Sequence, residues 1–269
     1  MYNIYVLIKQ VPKTSNPDIN RKTGAIIREG IDNVINPDDY FALELGLQLK
    51  EQYGGKVTAL TMGPPQAAFA LRECLAMGVD DAILVSDRQF AYSDTLQTTL
   101  VLESVFKKLK DYDIIITGSQ TSDSSTGQVP YQLSEALDIP LITHIFTMEL
   151  DGRIFKCQRN FGHESQNIEV ELPVLIRVIR HFNKPRNISL LGIKKAFEKE
   201  IKIINYEDLG CPTHICGKES PTKVIKTEKI IHKRKNEFIE GNTAEKIEKI
   251  IQIMREHGIE KIWTGVHKD

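Results

Sequence analysis

Short apolar segments alternate with helix-forming segments through the first half of this 269-residue chain. Strand-like segments at 4–8, 57–61, 82–85 and 114–116 alternate with helix-like segments that begin near residue 36 or cover 66–77, 94–109 and 127–137. Strands and helices at this spacing form βαβ units, which build a mostly parallel sheet with right-handed crossovers. The pattern therefore predicts a three-layer, doubly wound α/β fold.

The pattern changes after residue 141. Segments 146–150 and 154–159 flank Asp151-Gly152, a sequence typical of a hairpin turn, and 167–172 and 174–179 are further strand candidates. Past residue 181 the chain becomes more polar, and its strongest feature is a predicted amphipathic helix at 243–257 that Asn242 or Thr243 can cap. We expect an α/β core at 1–190 and a C-terminal arm at 191–269 whose apolar stripe packs on the core or on a partner.

Composition excludes several classes of protein. The chain has 35 Lys and Arg against 36 Asp and Glu, a net charge of −1, whereas a nucleic-acid-binding protein normally has a basic excess or patch. No apolar run approaches the ~20 residues of a membrane-spanning helix, and the N-terminus lacks the layout of a signal peptide. We expect a cytoplasmic protein without membrane insertion. The four cysteines are scattered without a C-x-x-C pair, so no metal site is expected.

The ligand of an open parallel sheet binds at the carboxyl ends of its strands. The sequence has no G-x-G-x-x-G, no P-loop, no G-x-S-x-G and no H-E-x-x-H motif. The most informative loop is 118–128, which combines two glycines, a series of Ser and Thr hydroxyls and Asp123 just before a predicted helix. Such a loop suits phosphate binding, but it is also typical of an ordinary βα connection rich in capping residues. Ser93-Asp94-Thr95 is equally compatible with a helix cap or a ligand contact.

Several of these segments, taken in order along nearly the whole chain, resemble the beta subunit of electron transfer flavoproteins. The segments that carry the resemblance are Val6–Pro12, Ile35–Asp39 with Ala42-Leu43-Glu44, Val57–Pro64, Leu71–Gly78, Ser93–Thr95, Gly118–Gln128, Asn183–Arg186, Ser220–Lys223 and Glu240–Thr243.

The resemblance implies a heterodimer with an alpha subunit that carries a redox FAD and on which the arm packs. It also implies an adenine nucleotide in the α/β core of this chain: FAD in the electron-bifurcating branch of the family, or AMP in the other branch. No catalytic side chain is implied. The implied cofactor-binding residues are Leu7, Lys9, Pro12, Asn36, Pro37, Asp38, Asp39, Met62, Asp94, Thr95, Gly118, Gln120, Asp123, Thr126, Gly127 and Gln128.

The resemblance further implies a docking segment for a partner dehydrogenase at 185–193. Pro185 and Arg186 belong to it, and Leu190 is its anchoring residue. The implied partner is an acyl-CoA dehydrogenase or a similar flavin dehydrogenase.

Three stretches look more like the bifurcating branch: Val11-Pro12 with Thr14, Thr23-Gly24 with Arg28-Glu29-Gly30, and Asn36–Asp39. That branch implies FAD in this chain, NADH as a donor and ferredoxin or flavodoxin as an acceptor. Lys13, Ser119 and Ser124-Ser125 depart from its usual pattern, so AMP is the alternative ligand. Two other functions stay open: an adenine-nucleotide-dependent enzyme of the same fold, although its S-G-G-x-D-S loop is missing, and a nucleotide sensor or scaffold.

Overall fold

The computed structural model describes residues 1–13, 32–162, 164–210, 212, 214–225 and 238–258. Thr14, Thr23-Gly24, Arg28-Glu29-Gly30 and Cys211 lie outside these residues. The chain divides into two compact units, Met1–Thr227 and Glu228–Asp269.

The strands and helices follow one another in the order that the periodicity predicts, with some additions. The strands are β1 (Tyr2–Leu7), β2 (Gln10–Pro12), β3 (Asn33–Ile35), β4 (Gly55–Met62), β5 (Asp81–Val85), β6 (Ile114–Thr117), β7 (Leu141–Thr143), β8 (Ile145–Asp151), β9 (Ile154–Phe161), β10 (Glu164–Glu171), β11 (Val174–Arg177) and β12 (Ile201–Ile204). The helices are α1 (Asp39–Tyr53), α2 (Ala68–Met77), α3 (Thr95–Leu109), α4 (Val129–Leu137), α5 (Leu190–Glu198), α6 (Tyr206–Leu209) and α7 (Thr243–Glu256).

Seven strands form one parallel sheet in the order β12-β5-β4-β1-β6-β11-β7. Successive side chains of a strand point to opposite faces. Ile114 and Ile116 of β6 accordingly enter the core beneath α1 and α2, while Ile115 enters the core beneath α3 and α4. Helices thus cover both faces, and the predicted three-layer α/β fold is confirmed. The strand order reverses between β1 and β6, and that reversal positions the site described below.

A separate antiparallel sheet, β8-β9-β10, contains the predicted hairpin. Asp151-Gly152 forms its turn, with Gly152 at a φ of 57° that glycine adopts without strain. The predicted strand at 174–179 is shorter than expected, because β11 ends at Arg177 and joins the parallel sheet. Residues 178–186 therefore lie outside β11, at the carboxyl edge of that sheet.

Two predicted helix starts were wrong. α1 begins at Asp39, since Asn36 bonds to a distant loop instead of capping the helix, and α4 begins at Val129 rather than at residue 127. The start of α3 is confirmed: the Asp94 carboxylate accepts a hydrogen bond from the Gln97 amide at 3.0 Å.

The region that follows residue 190 contributes to both units. α5 packs on α2, and β12 is an edge strand of the parallel sheet, so both belong to the first unit. In the second unit, Asn242 and Glu245 form a capping box at the start of α7, which confirms the predicted helix. Ile247, Ile250 and Ile251 on its apolar stripe are 42–52% exposed. Within the described parts of the chain, no helix is both long and apolar enough to span a membrane.

Candidate functional site

The candidate site lies where the strand order reverses, at the carboxyl ends of β1 and β6. In a doubly wound sheet, the crevice at such a reversal is the usual ligand position. Three segments meet there: the residues after β1, the start of α1, and the 118–128 loop after β6. Gly118 permits this meeting, because a Cβ at that position would overlap the Asp39 carboxylate and lie 2.9 Å from the Asp38 carbonyl carbon.

Asn36 joins the start of α1 to the 118–128 loop. Its side chain is fully buried. The Nδ2 group donates to Asp39 Oδ1 at 3.0 Å and to the Gln120 carbonyl at 2.8 Å, while Oδ1 accepts from the Ser122 amide at 3.0 Å. An amide side chain can use its donor and acceptor atoms at once, so Asn36 holds two segments that are more than 80 residues apart in sequence.

Asp39 connects the same corner to β1. Its Oδ2 atom accepts a hydrogen bond from the Lys9 backbone amide at 2.7 Å. Burial raises the pKa of Asp39 to about 7, and the hydrogen bonds from Asn36 and Lys9 oppose that rise. The carboxyl group therefore titrates near neutral pH.

Lys9 and Asp123 bridge the crevice. The Lys9 ammonium lies 2.9 Å and 2.7 Å from the two Asp123 carboxylate oxygens. Burial raises the pKa of Asp123, but the charge and hydrogen bond of Lys9, together with hydrogen bonds from Thr121 and the loop backbone, hold that pKa below its ordinary value. The pair places a positive and a negative group side by side at the mouth of the loop.

Two arginines at this edge were missed by the sequence analysis. Arg177 Nε donates to the Ser119 carbonyl at 3.0 Å, and its guanidinium lies over the Tyr131 ring at 5.7 Å. Arg180 pairs with Asp38, whose other oxygen accepts from the Ser119 hydroxyl. The signal that could have found them is their position at the carboxyl end of a strand beside β6: Arg177 ends β11 and Arg180 follows it. They supply positive charge next to Ser119, one of the positions that depart from the usual pattern of the bifurcating branch.

The remaining predicted contacts are spread along the same edge. Leu7 ends β1 and Met62 ends β4, and both pack partly against the core beneath α3. Pro12 pairs with Asn33 in the small β2-β3 sheet, and Pro37 lies in the turn before α1.

At the start of α3 and α4, the Thr95 hydroxyl donates to Gln128 Oε1 at 2.9 Å. Thr126 is exposed, and Gly127 has a φ of 60°. Asp94 caps α3 and also accepts from the Thr222 hydroxyl at 2.7 Å and the Thr222 amide at 3.1 Å. The structure thus favours the capping role of Asp94 over a free carboxylate in the crevice.

The predicted docking segment lies beside α1. The Arg186 guanidinium bonds to Glu44 and Glu51 of that helix. Pro185 precedes it, and Leu190 begins α5 with 88% of its surface exposed. Among the described residues, no group of three or more His, Cys, Asp or Glu side chains is arranged to hold a metal ion.

The fold and the crevice define a doubly wound α/β protein whose candidate ligand edge is built by loops and a helix start instead of a fingerprint motif. Comparison with known proteins then identifies the family. The sequence profile of the electron transfer flavoprotein domain matches residues 23–209. The chain belongs to the electron transfer flavoprotein family and is a member of its beta-subunit group.

Three relatives illustrate the group. The chain is 42% identical over 252 residues to an electron transfer flavoprotein subunit beta of Thermoanaerobacterium thermosaccharolyticum, covering 93% of this chain and 96% of the relative. It is 40% identical over 246 residues to caffeyl-CoA reductase-Etf complex subunit CarD of Acetobacterium woodii, covering 91% and 94%. It is 37% identical over 265 residues to acryloyl-CoA reductase electron transfer subunit gamma of Anaerotignum propionicum, covering 95% and 99%. The predicted family is confirmed.

Proposed function

We propose that this chain binds an adenine nucleotide, FAD, in the crevice between β1 and β6 and, with an alpha subunit, carries electrons between a donor and acceptor proteins. The observation that carries the proposal is the meeting of three segments at the reversal of strand order, joined by Asn36 and by the Lys9–Asp123 pair. Family membership supplies the electron-transfer role, and the residues implied for the cofactor lie along this edge.

The residues at the crevice fit a nucleotide. Gly118 lets the 118–128 loop pack closely against the start of α1, and Gly127, with a φ of 60°, lets the same loop turn before α4. Lys9, Arg177 and Arg180 supply positive charge for phosphate groups. The buried Thr117 hydroxyl, at the end of β6, has no hydrogen-bond partner among the residues that the structure describes and is available to a ligand. A buried hydroxyl without a partner beside the 118–128 loop supports a polar ligand in this crevice.

A bound flavin and the residues of this chain would have separate roles. A bound flavin supplies the redox chemistry. The chain binds the nucleotide by loop amides and basic side chains and orients it against the sheet edge. With FAD in this chain, NADH is the expected donor and ferredoxin or flavodoxin the low-potential acceptor, as in electron bifurcation; with AMP the chain is a simple electron-transfer subunit.

The protein partners are an alpha subunit and an acyl-CoA dehydrogenase or a similar flavin dehydrogenase. The names of two relatives, a caffeyl-CoA reductase complex subunit and an acryloyl-CoA reductase subunit, support the second partner. Leu190 supports it as well, because a single exposed apolar side chain suits insertion into a pocket of a partner. We expect the complex to act in the cytoplasm.

The cofactor content of the heterodimer tests this proposal. Both subunits are expressed together and purified, and the released nucleotides are quantified by chromatography. Two FAD per heterodimer support the bifurcating assignment, and one FAD with one AMP supports simple electron transfer. A heterodimer with one FAD and no second nucleotide would contradict nucleotide binding by this chain.

A further inference from the structure

Residues 180–186, here called the strap, run along α1 in a fixed register. Arg180 bonds to Asp38, the Asn183 amide group to the Phe41 carbonyl at 3.0 Å, and Arg186 to Glu44 through both its backbone amide and its guanidinium. Each of these three residues meets the one 142 positions earlier. The step of three residues is close to one helical turn, so the strap contacts one face of α1 continuously.

The strap connects two functional regions. At one end, Asp38 is bonded both to Arg180 and to the hydroxyl of Ser119 in the 118–128 loop. At the other end, Arg186 lies four residues before α5, where Ser189 accepts a hydrogen bond from the Gly192 amide at 3.0 Å and Leu190 is exposed. The candidate nucleotide crevice and the candidate docking helix are therefore the two ends of one bonded segment.

The contacts along the strap resist separation. The Asp38 side chain is 1% exposed and that of Glu44 is 6% exposed. Removing the arginine partner of a buried carboxylate leaves an uncompensated charge in a poorly solvated position. If Ser119 or Asp38 moves, Arg180 should therefore move with it, because breaking the contact between Arg180 and Asp38 would cost more free energy.

We propose that the strap couples nucleotide binding to the order of α5, with Arg180 as the positioning residue at the junction. This inference rests on the proposed function, since it takes the ligand to be a nucleotide in the crevice and α5 to be the docking helix. A nucleotide that closes the 118–128 loop holds Ser119 against Asp38, fixes Arg180 and so steadies the strap and the helix that follows it. Because binding linkage is reciprocal, docking on α5 also tightens nucleotide binding.

Hydrogen exchange of the heterodimer tests this coupling. The heterodimer is freed of the nucleotide on this subunit, and backbone exchange is followed by mass spectrometry with and without saturating AMP, the portion that FAD also contains. In the wild type we expect AMP to slow exchange in α5 by about fivefold or more, the size of a modest allosteric coupling. Calorimetry in the same samples measures AMP binding itself.

Alanine substitutions at two neighbouring strap residues separate coupling from general effects. Asn183→Ala removes the hydrogen bond to the Phe41 carbonyl and leaves Arg180 and Asp38 unchanged, so it should bind AMP but lose the protection of α5. Lys184→Ala alters an exposed strap residue for which no bond to α1 is described, and it should behave as the wild type. Arg180→Gln should lose the protection as well, and calorimetry measures how far it also weakens AMP binding.

The outcomes are distinct. No AMP binding by the wild type contradicts the proposed nucleotide site. AMP binding without any change in α5, or equal protection in the wild type and in the strap variant that binds AMP, overturns the coupling and leaves the nucleotide site standing.

Discussion

At the scale of single residues, the acidic side chains at the start of α1 hold together the segments that form the crevice. Asp38 and Asp39 both direct their oxygens at protein donors: Ser119 and Arg180 in one case, Asn36 and the Lys9 amide in the other. They hold the loops in place, and a nucleotide would meet the loop amides and basic groups that these carboxylates position.

Lys9 controls the ionisation of Asp123. In Lys9→Gln we expect the pKa of Asp123 to rise, because the largest of the effects that oppose burial is then lost. A carbon-13 NMR titration of the aspartate carboxyl groups measures the change. Lys13→Gln is the control, since the partner of Lys13 among the described residues is exposed Asp32, at 3.8 Å. An unchanged pKa of Asp123 in Lys9→Gln would show that Lys9 does not stabilise the charged form of this carboxylate.

Asp39 should make stability depend on pH. The folded chain retains a proton on Asp39 up to about pH 7, whereas the unfolded chain releases it near pH 4. The contribution of this group to stability is therefore full below about pH 4 and is lost as the pH rises through 7. Relative to Asp39→Asn, the wild type should lose up to about 4 kcal/mol of unfolding free energy across that range, at about 1.4 kcal/mol per pKa unit. Urea denaturation at a series of pH values measures this difference, and parallel profiles would rule it out.

At the scale of secondary-structure elements, the contact between α1 and the strap depends on one buried and one exposed glutamate. Arg186→Gln leaves Glu44 unpaired in a buried position and should lower the unfolding free energy by about 2–3 kcal/mol. Glu51→Gln breaks only the outer pair, where Glu51 is 59% exposed, and should cost less than about 1 kcal/mol. Chemical denaturation of the two variants compares them. Equal losses would mean that Glu44 is solvated well enough to do without Arg186.

The exposed start of α5 should serve docking and not folding. Leu190→Ala should slow electron transfer from the partner dehydrogenase by about tenfold or more, because an anchoring side chain carries much of the energy of an interface. The flavin absorbance spectrum and the unfolding free energy should stay as in the wild type. Phe146→Ala, which removes another exposed apolar side chain on β8, is the matched control. A loss of stability in Leu190→Ala would instead make Leu190 a structural residue.

At the scale of the whole molecule, the apolar stripe of α7 is about half exposed. We expect this stripe to bind the alpha subunit. Ile250→Gln should weaken the heterodimer, because it puts a polar side chain into the stripe, whereas Lys249→Gln on the opposite side should not. Analytical ultracentrifugation with the alpha subunit measures the dissociation constants. Equal affinity of both variants would exclude the stripe from the interface.

Much of this architecture follows from local pattern. Short apolar runs predict β1, β4, β5 and β6, and the periodicity of α7 predicts its length and stripe. The pattern failed where contacts from far along the chain decide the local structure. Asn36 would cap α1 in isolation, but it bonds to Gln120 and Ser122 instead. The short strands β7 and β12 carry little local signal, and their place is set by pairing with β11 and β5.

The sequence by itself determined the order of strands and helices, the parallel sheet and the edge at which a ligand belongs, because these depend on hydrophobic periodicity and on the handedness of βαβ units. The tertiary structure decided which side chains meet at that edge. Arg177 and Arg180 reach the 118–128 loop only because β11 pairs with β6, and the strap follows α1 only because both flank the same corner of the sheet. Such contacts join residues that are distant in sequence, and no local preference encodes them; they arise when the whole chain packs.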